Sequence, residues 1–421
     1  MTRPLLVVGY VGAALNSPAL LRPGQPVIFV EEPDVVRKRQ ARERIDATAD
    51  CELIEWEFHL PGKADEFFHT HRSLEPAAII PLTEYATPFA ARLAERWGLP
   101  GAGYGAAVIL RDKELLRQVT RAAGIANPES ARVTGPADVR EFMLARPGPI
   151  VLKPANRQAS VGTQVIHSVT EIDEAWATCV AQDEGVFVPD RAMELRMLAE
   201  RFVDGSEYSV EMLVRQGEPL FFNVTGKQLF PGSRPVELAH IVPADIPAEL
   251  TELLGEQTRR VVDAAGFQDG IVHCEWIVAE GVPHVVECAG RFAGDGIIEL
   301  IQRAYPVELE LSYYLVLKGE QPKDLPRVAK GGAAVRFLSI PPGIVEDVRG
   351  VEEAANSEGV FMCDVSISPG DHFDGLRSSW DRVGDLMVTG DSPADALRLA
   401  EAAVAKIQVD VVPAELAAVT S

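Results

Sequence analysis

The chain has 421 residues, 47% hydrophobic and 24% charged, with a formal net charge of −22. At about 150 residues per domain this allows roughly three domains with full cores. The negative balance excludes nucleic acid and anionic membrane as main partners, because both are polyanions that demand clustered Lys and Arg.

Leu5 to Val8 is a predicted buried strand, followed by a glycine turn and a helix start, with a second strand at Val27 to Val30. The apolar run at the very start is too short and too broken by Gly9, Gly12 and Asn16 for a signal peptide, and no apolar stretch reaches the ~20 residues of a membrane span. Further strands at Cys51 to Ile54 and Ala77 to Leu82 alternate with helical patterns at Ala64 to His71 and Thr87 to Trp97, which predicts a small parallel sheet. Gly9 and Gly12 lack the GxGxxG spacing, so a tight turn that packs the fold is favoured over a dinucleotide loop. A nicotinamide-dependent oxidoreductase is correspondingly the least favoured activity.

Asp112 caps a predicted amphipathic helix that ends at Gly124, where one domain hands over to the next. Ile150 to Pro154 is a strand with Lys153 near its end, and the loop behind it carries Ala159, Ser160, Gly162 and Thr163. Small residues let backbone N–H groups approach an anion closely, although a plain hairpin loop explains them as well. Met197 to Phe202 and Tyr208 to Val214 are strands around a turn bracketed by Glu200 and Glu207. The next stretch, NVTGKQLFPGSRPVELAHIVPADIP, is rich in Gly, Pro and polar residues and predicts an active-site loop. Lys227, Glu237 and His240 are its candidate ligand contacts, with a solvated loop as the plainer alternative. Residues 248–265 form an amphipathic helix.

The stretch Gly270 to Gly296 then predicts a hairpin around Ala279 to Pro283. Symmetric pairing about Gly281 sets Glu275 opposite Glu287 on one face and Cys274 opposite Cys288 on the other. Facing carboxylates repel, but they are the hard oxygen ligands of a magnesium ion that bridges substrate phosphates. The same face carries Ala289 and Arg291, and an arginine there can hold a phosphate or carboxylate. A charged surface hairpin is the plain alternative. Five cysteines without Cys-x-x-Cys spacing indicate neither zinc site nor disulfide framework, so the expected location is the cytoplasm. Val307 to Lys318 is helical, and residues 330–412 alternate strands with the helix Pro393 to Ile407 as a further lobe.

Taken in order, Lys113, Lys153 with its small-residue loop, Glu200-x-x-Val203-x-x-x-Glu207, Glu275, Glu287 and Arg291 resemble the ATP-grasp fold over roughly residues 1 to 410. The resemblance implies an α/β and α+β architecture: an N-terminal parallel-sheet domain (1–112), a central lid lobe (113–205) and a C-terminal lobe (206–421) with an added α/β subdomain from about 330. It implies ATP and Mg2+, or Mn2+, as cofactors. Lys113 and Lys153 would contact phosphates and the adenine edge, Ser160 and Gly162 would close over the phosphates, and Glu200 would belong to the nucleotide site. Arg201 and Val203 would offer backbone groups to adenine, Glu207 would take the ribose, and Glu275 and Glu287 would hold the metal. Many members carry Asn where this chain has Ala289, which removes one ligand of a second metal ion.

Within the family, Val236 to Pro243 and the hairpin are similar to L-amino acid ligases of the bacilysin type. That similarity implies an ADP-forming ligase of amino acids or related acids and amines, a homodimer being compatible with it. Glu237, His240, Arg291 and Lys227 would contact substrate, with Arg291, Lys153 and His240 in catalysis. A carboxyphosphate-forming enzyme and a nucleotide-binding regulator without turnover are the alternatives.

Overall fold

A computed structural model describes residues 2–182, 184–232, 234–323 and 325–413. The end of the C-terminal lobe, expected to reach residue 421, therefore lies outside the described residues from 414 on. Strands β1 (Leu5–Val8), β2 (Val27–Glu31), β3 (Cys51–Glu55) and β4 (Ala78–Pro81) form the expected parallel sheet in the order β3-β2-β1-β4. The inner strands β1 and β2 are buried along their whole length because helices cover both faces, whereas the edge strand β3 keeps Glu52 and Glu55 in solvent.

Strands β5 (Ser130–Val133), β6 (Ile150–Pro154), β7 (Gln164–Ile166) and β8 (Met197–Arg201) form an antiparallel sheet in the order β5-β8-β6-β7, the lid. The lid sheet begins only at Ser130. Helix Lys113–Ala122, expected to open this lobe, instead buries Leu116 in the core beneath the next sheet, against helix Ala248–Ala265.

That sheet is built from β9 (Ser206–Arg215), β10 (Glu218–Leu229), β11 (Glu237–Val242), β12 (Gly270–Ala279) and β13 (Val282–Ala289). Three strands from the last part of the chain continue it: β14 (Gly332–Leu338), β16 (Val360–Val365) and β18 (Gly384–Gly390). The order is β13-β12-β9-β10-β11-β14-β18-β16. The residues from 330 on are therefore not a detached lobe. Only β15 (Gly343–Arg349), β17 (His372–Phe373) and β19 (Gln408–Val412) make a separate small sheet. The stretch expected as an active-site loop is mostly β10 and β11, with a short connection between them. Its polar residues are buried and paired across strands rather than solvated; Lys227 stands opposite His240 in the register.

The N-terminal domain shares one apolar core with the C-terminal lobe, in which Val7, Phe29 and Ile80 join Leu213, Ile301 and Tyr313. The lid has an apolar cluster of its own, including Val139, Phe142, Leu152 and Ile172. Among the described residues no helix is long and apolar enough to cross a membrane.

The first glycine turn serves packing. Gly9 has φ +87°, and a Cβ there would lie 2.5 Å from Thr83 Oγ1. The Tyr10 N–H, which a pyrophosphate would need, donates to Glu31 Oε2 at 2.6 Å. We expect Gly9→Ala to cost at least about 1 kcal/mol of unfolding free energy, from backbone strain together with the collision. Gly12→Ala should cost less, since a Cβ there meets only the far end of Arg44 at 3.3 Å. Denaturant titration of both variants checks the difference.

Candidate active site

The hairpin of β12 and β13 adopts the register its sequence implies: Glu275 pairs with Glu287 and Cys274 with Cys288. The thiols turn into the core with Trp276 and Leu116, while the carboxylates line a cavity of about 700 Å³ bounded by all three lobes. Of the residues expected at the site, all but Gly162, Lys227 and His240 line this cavity.

Cations relieve the repulsion of the facing carboxylates. Lys113 Nζ lies 2.8 Å from Glu287 Oε2 and donates to the Arg157 carbonyl oxygen at 2.8 Å. Lys227 donates to Glu275 from below the cavity floor, and is 3.8 Å from Glu237. Lys227 is thus a support for carboxylates rather than the expected substrate contact, because it is buried between two of them. His273 Nε2 lies 3.2 Å from the same Glu275 oxygen, and its Nδ1 lies 2.9 Å from Glu211. Burial alone would push both carboxyls up, but Lys227 and His273 hold Glu275 well below its ordinary range and Lys113 holds Glu287 below it. His273 in turn resists burial, and its carboxylate neighbours raise it to about 9. Sequence reasoning missed His273, although it lies two residues before Glu275 and so on the same face; it stands opposite Ala289.

A second ionic cluster ties the lid to the helix below it. Glu200 is 2% exposed, 2.9 Å from Arg117 Nε and 2.8 Å from Lys153 Nζ. Its carboxylate is paired with these two cations, while the residue lines the cavity as expected. Burial would raise its pKa, but Arg117 and Lys153 together lower it to about 2. Glu207 has no such compensation: burial takes it up to about 7, opposed by Lys227 and assisted by Glu275 and Glu237.

Two expected backbone contacts are also spoken for. The Gly162 N–H donates to Gln182 Oε1 at 2.7 Å, and a Cβ at this φ of +74° would meet the Cys179 carbonyl oxygen at 2.9 Å. Gly162 thus lets the loop pack on helix Ile172–Ala181, and Ser160, whose hydroxyl donates to the Pro235 carbonyl oxygen at 3.0 Å, lines the cavity instead. The Arg201 N–H donates to the Glu129 carbonyl oxygen at 2.8 Å, so only its other groups are open to a ligand.

His240 is 1% exposed in β11, its ring set edge-on against Phe337 with centroids 5.5 Å apart. Its Nε2 lies 3.0 Å from Asp295 Oδ2, and Arg382 binds the same carboxylate. His240 therefore reaches the cavity only through Asp295, a positioning role in place of the expected direct contact. Glu237 does line the cavity and accepts a hydrogen bond from Ser379 Oγ at 2.8 Å. Arg291 also lines it, its Nε donating to Glu84 Oε2 at 2.8 Å. Glu84, Asp295, Ser379 and Arg382 carry no local sequence signal, since each is brought in by long-range packing.

Residues 146–299 match the ATP-grasp domain family, and residues 336–412 match the L-amino acid ligase C-terminal domain 2. An L-amino acid ligase from Bacillus licheniformis superposes with a TM-score of 0.78 over 98% of this chain and 99% of that one, at 17% sequence identity. The chain has the ATP-grasp fold. A phosphoribosylglycinamide synthetase from Anaerococcus prevotii, also similar in fold, gives a TM-score of 0.70 at 15% identity over 98% and 100% of the two chains. By sequence, the chain is 27% identical to alanine–anticapsin ligase of Bacillus subtilis (strain 168) over 250 residues, 56% of this chain and 52% of that protein. It is 23% identical to the L-arginine-specific L-amino acid ligase of Bacillus subtilis over 308 residues, 72% of each. The chain thus spans about half the length of the alanine–anticapsin ligases it matches.

In this ATP-grasp chain Glu200→Gln should be a stability variant. It leaves Arg117 and Lys153 buried without a counter-charge, at a cost of about 3 kcal/mol or more. The Glu200 carboxyl holds its proton less tightly folded than unfolded. Its contribution is therefore complete above about pH 4.5 and disappears as pH falls toward about 2. Unfolding titrations across that range should be steeper in pH for the native chain than for the variant.

Proposed function

We propose that the chain is an ADP-forming ligase that joins an acid and an amine of the amino-acid class through an acyl phosphate. The observation that carries this reading is the Glu275–Glu287 pair in a cavity that Lys153 and Arg291 share. Two facing carboxylates, held ionised although buried, suit a hard divalent cation such as Mg2+ or Mn2+ whose other oxygens come from phosphates. When bound, such an ion neutralises phosphate charge and makes the terminal phosphoryl group a better electrophile.

The remaining roles fall to the chain itself. Lys113 and Lys153 bring positive charge to the phosphates, and Ser160 with its loop covers them. Val203 and Arg201, where the lid crosses to β9, take the adenine edge, and Glu207 at the start of β9, lining the same cavity, takes the ribose hydroxyls. Arg291, oriented by Glu84, holds the acid in line for attack on the terminal phosphorus. Its carboxylate oxygen forms the new P–O bond as the bond to ADP breaks. The amine nitrogen then attacks the acyl carbon, phosphate leaves with the acyl oxygen, and an amide remains. Asp295, fixed by His240 and Arg382, and Glu237 shape the end of the cavity that receives these substrates.

The match of residues 336–412 to an L-amino acid ligase domain favours amino acids over a carboxyphosphate route. The names of two relatives, alanine–anticapsin ligase and L-arginine-specific L-amino acid ligase, support the same class.

Chromatography of nucleotides after incubation with ATP, magnesium and pairs of amino acids tests the reading. ADP and phosphate should form only when a productive pair is present; AMP as the main product would overturn it. Glu287→Gln should lower kcat more than tenfold, above ~1.4 kcal/mol in the barrier. Its melting temperature should stay close to that of the native chain, since the change also removes the repulsion with Glu275.

A further inference from the structure

The carboxylates that line the cavity are almost all matched by a cation. Glu84 faces Arg291, Glu237 and Glu275 face Lys227, and Glu287 faces Lys113. Asp295 faces Arg382, and Glu299 faces Arg303. Apart from Glu207 at the nucleotide end, the exception among the described residues is Glu310.

Glu310 lies in the first turn of helix Leu309–Leu317 and lines the cavity together with residues 16–18 of the N-terminal domain. Its contacts are neutral. Ser17 Oγ donates to Glu310 Oε1 at 2.6 Å, and the Tyr314 hydroxyl donates to the same oxygen at 2.8 Å. Burial, then Glu310 itself, pushes the Tyr314 phenol well up, so it stays a donor. Both hydroxyls use one oxygen, and among the described residues no side chain takes Oε2. The result is a half-buried carboxylate, fixed in one orientation by groups from two domains, with a free oxygen on a cavity wall. Hydroxyl donors alone leave its charge uncompensated, and a ligand that brings a positive charge completes it.

We infer that Glu310, held by Ser17 and Tyr314, is a binding subsite for an organic ammonium group of the substrate. This rests on the ligase reading for the word substrate, whereas the subsite itself does not. Phe292, the residue after Arg291, packs its ring on those of Tyr313 and Tyr314, with centroids 4.6 and 6.2 Å away. One aromatic layer thus links the arginine that would hold an anionic group to the carboxylate that would hold a cationic one. Such a cavity, anion-binding at Arg291 and cation-binding at Glu310, selects zwitterionic or cationic amino acids over neutral amines and simple acids.

The test is calorimetric titration of the full chain, saturated with magnesium and a β,γ-methylene ATP analogue, with lysine, norleucine and n-butylammonium. Glu310→Gln keeps the acceptor for Ser17 and Tyr314, so it should fold, and thermal melting confirms that. Ammonium ligands should bind the native chain and weaken at least tenfold in Glu310→Gln, with the affinity for the nucleotide analogue unchanged. Weakening of lysine and butylammonium but not norleucine assigns the subsite to a side-chain cation; weakening of lysine and norleucine alike assigns it to the α-ammonium. Equal binding to both proteins, or none of the three binding the native chain, overturns the inference. Failure of the ligase reading looks different: the Glu310-dependent binding persists, but no amino-acid pair yields ADP.

Discussion

Two negative charges set face to face on neighbouring strands are the constraint around which this protein is arranged. Glu275 and Glu287 could each be solvated on a surface hairpin, but here they lie at the floor of a cavity, where repulsion is stronger because water is scarce. The fold answers with cations from separate elements: Lys113 from the helix before the lid, Lys227 from β10, and His273 from β12 itself. Glu211 then holds His273 from the neighbouring strand β9, and it accepts from Ser209 and Thr225 as well. The floor is thus a layered polar network inside an otherwise apolar sheet. Such networks are costly when half-satisfied, which explains why so many of its members are fully buried and paired.

The same principle positions the charged groups that line the cavity walls. Arg291 leaves the end of β13 and is aimed by Glu84, a residue of the N-terminal domain, so that domain takes part in the site. Asp295 lies four residues on and is clamped between His240 of the sheet and Arg382 of the region matched by the L-amino acid ligase domain. Each lobe therefore contributes at least one charged group that is oriented by another lobe.

Much of this was legible in the sequence wherever a short-range rule applied. The hairpin register followed from the symmetry of two apolar runs about Gly281, and the parallel sheet from strands alternating with helices. The stretch from Asn223 to Pro247 reads as a loop because its polar residues mark buried partners rather than solvent; Lys227 and His240 look like loop residues until the strands that pair them are present. The pairing of Glu200 with Arg117 is not legible either, since Arg117 lies too far away in sequence to advertise the ion pair. His273 was readable from strand periodicity alone. Glu310, Ser17 and Glu84 were not, because only the docking of the N-terminal domain brings them to the cavity.

The lid keeps its apolar side chains to itself, while the other two lobes share a core. What joins the lid to its surroundings is largely ionic and polar: Arg191 with Glu32, Lys38 with Asp190, Lys153 across Glu200 to Arg117, and the stacked rings of Phe187 and Trp380. Swinging it outward therefore exposes little hydrocarbon to water, and the heat-capacity change of that motion should be small beside that of unfolding. Attraction between charges is instead weakened by dissolved ions. Salt should therefore loosen the exposed Lys38–Asp190 pair, while the buried Lys153–Glu200–Arg117 cluster keeps its hold.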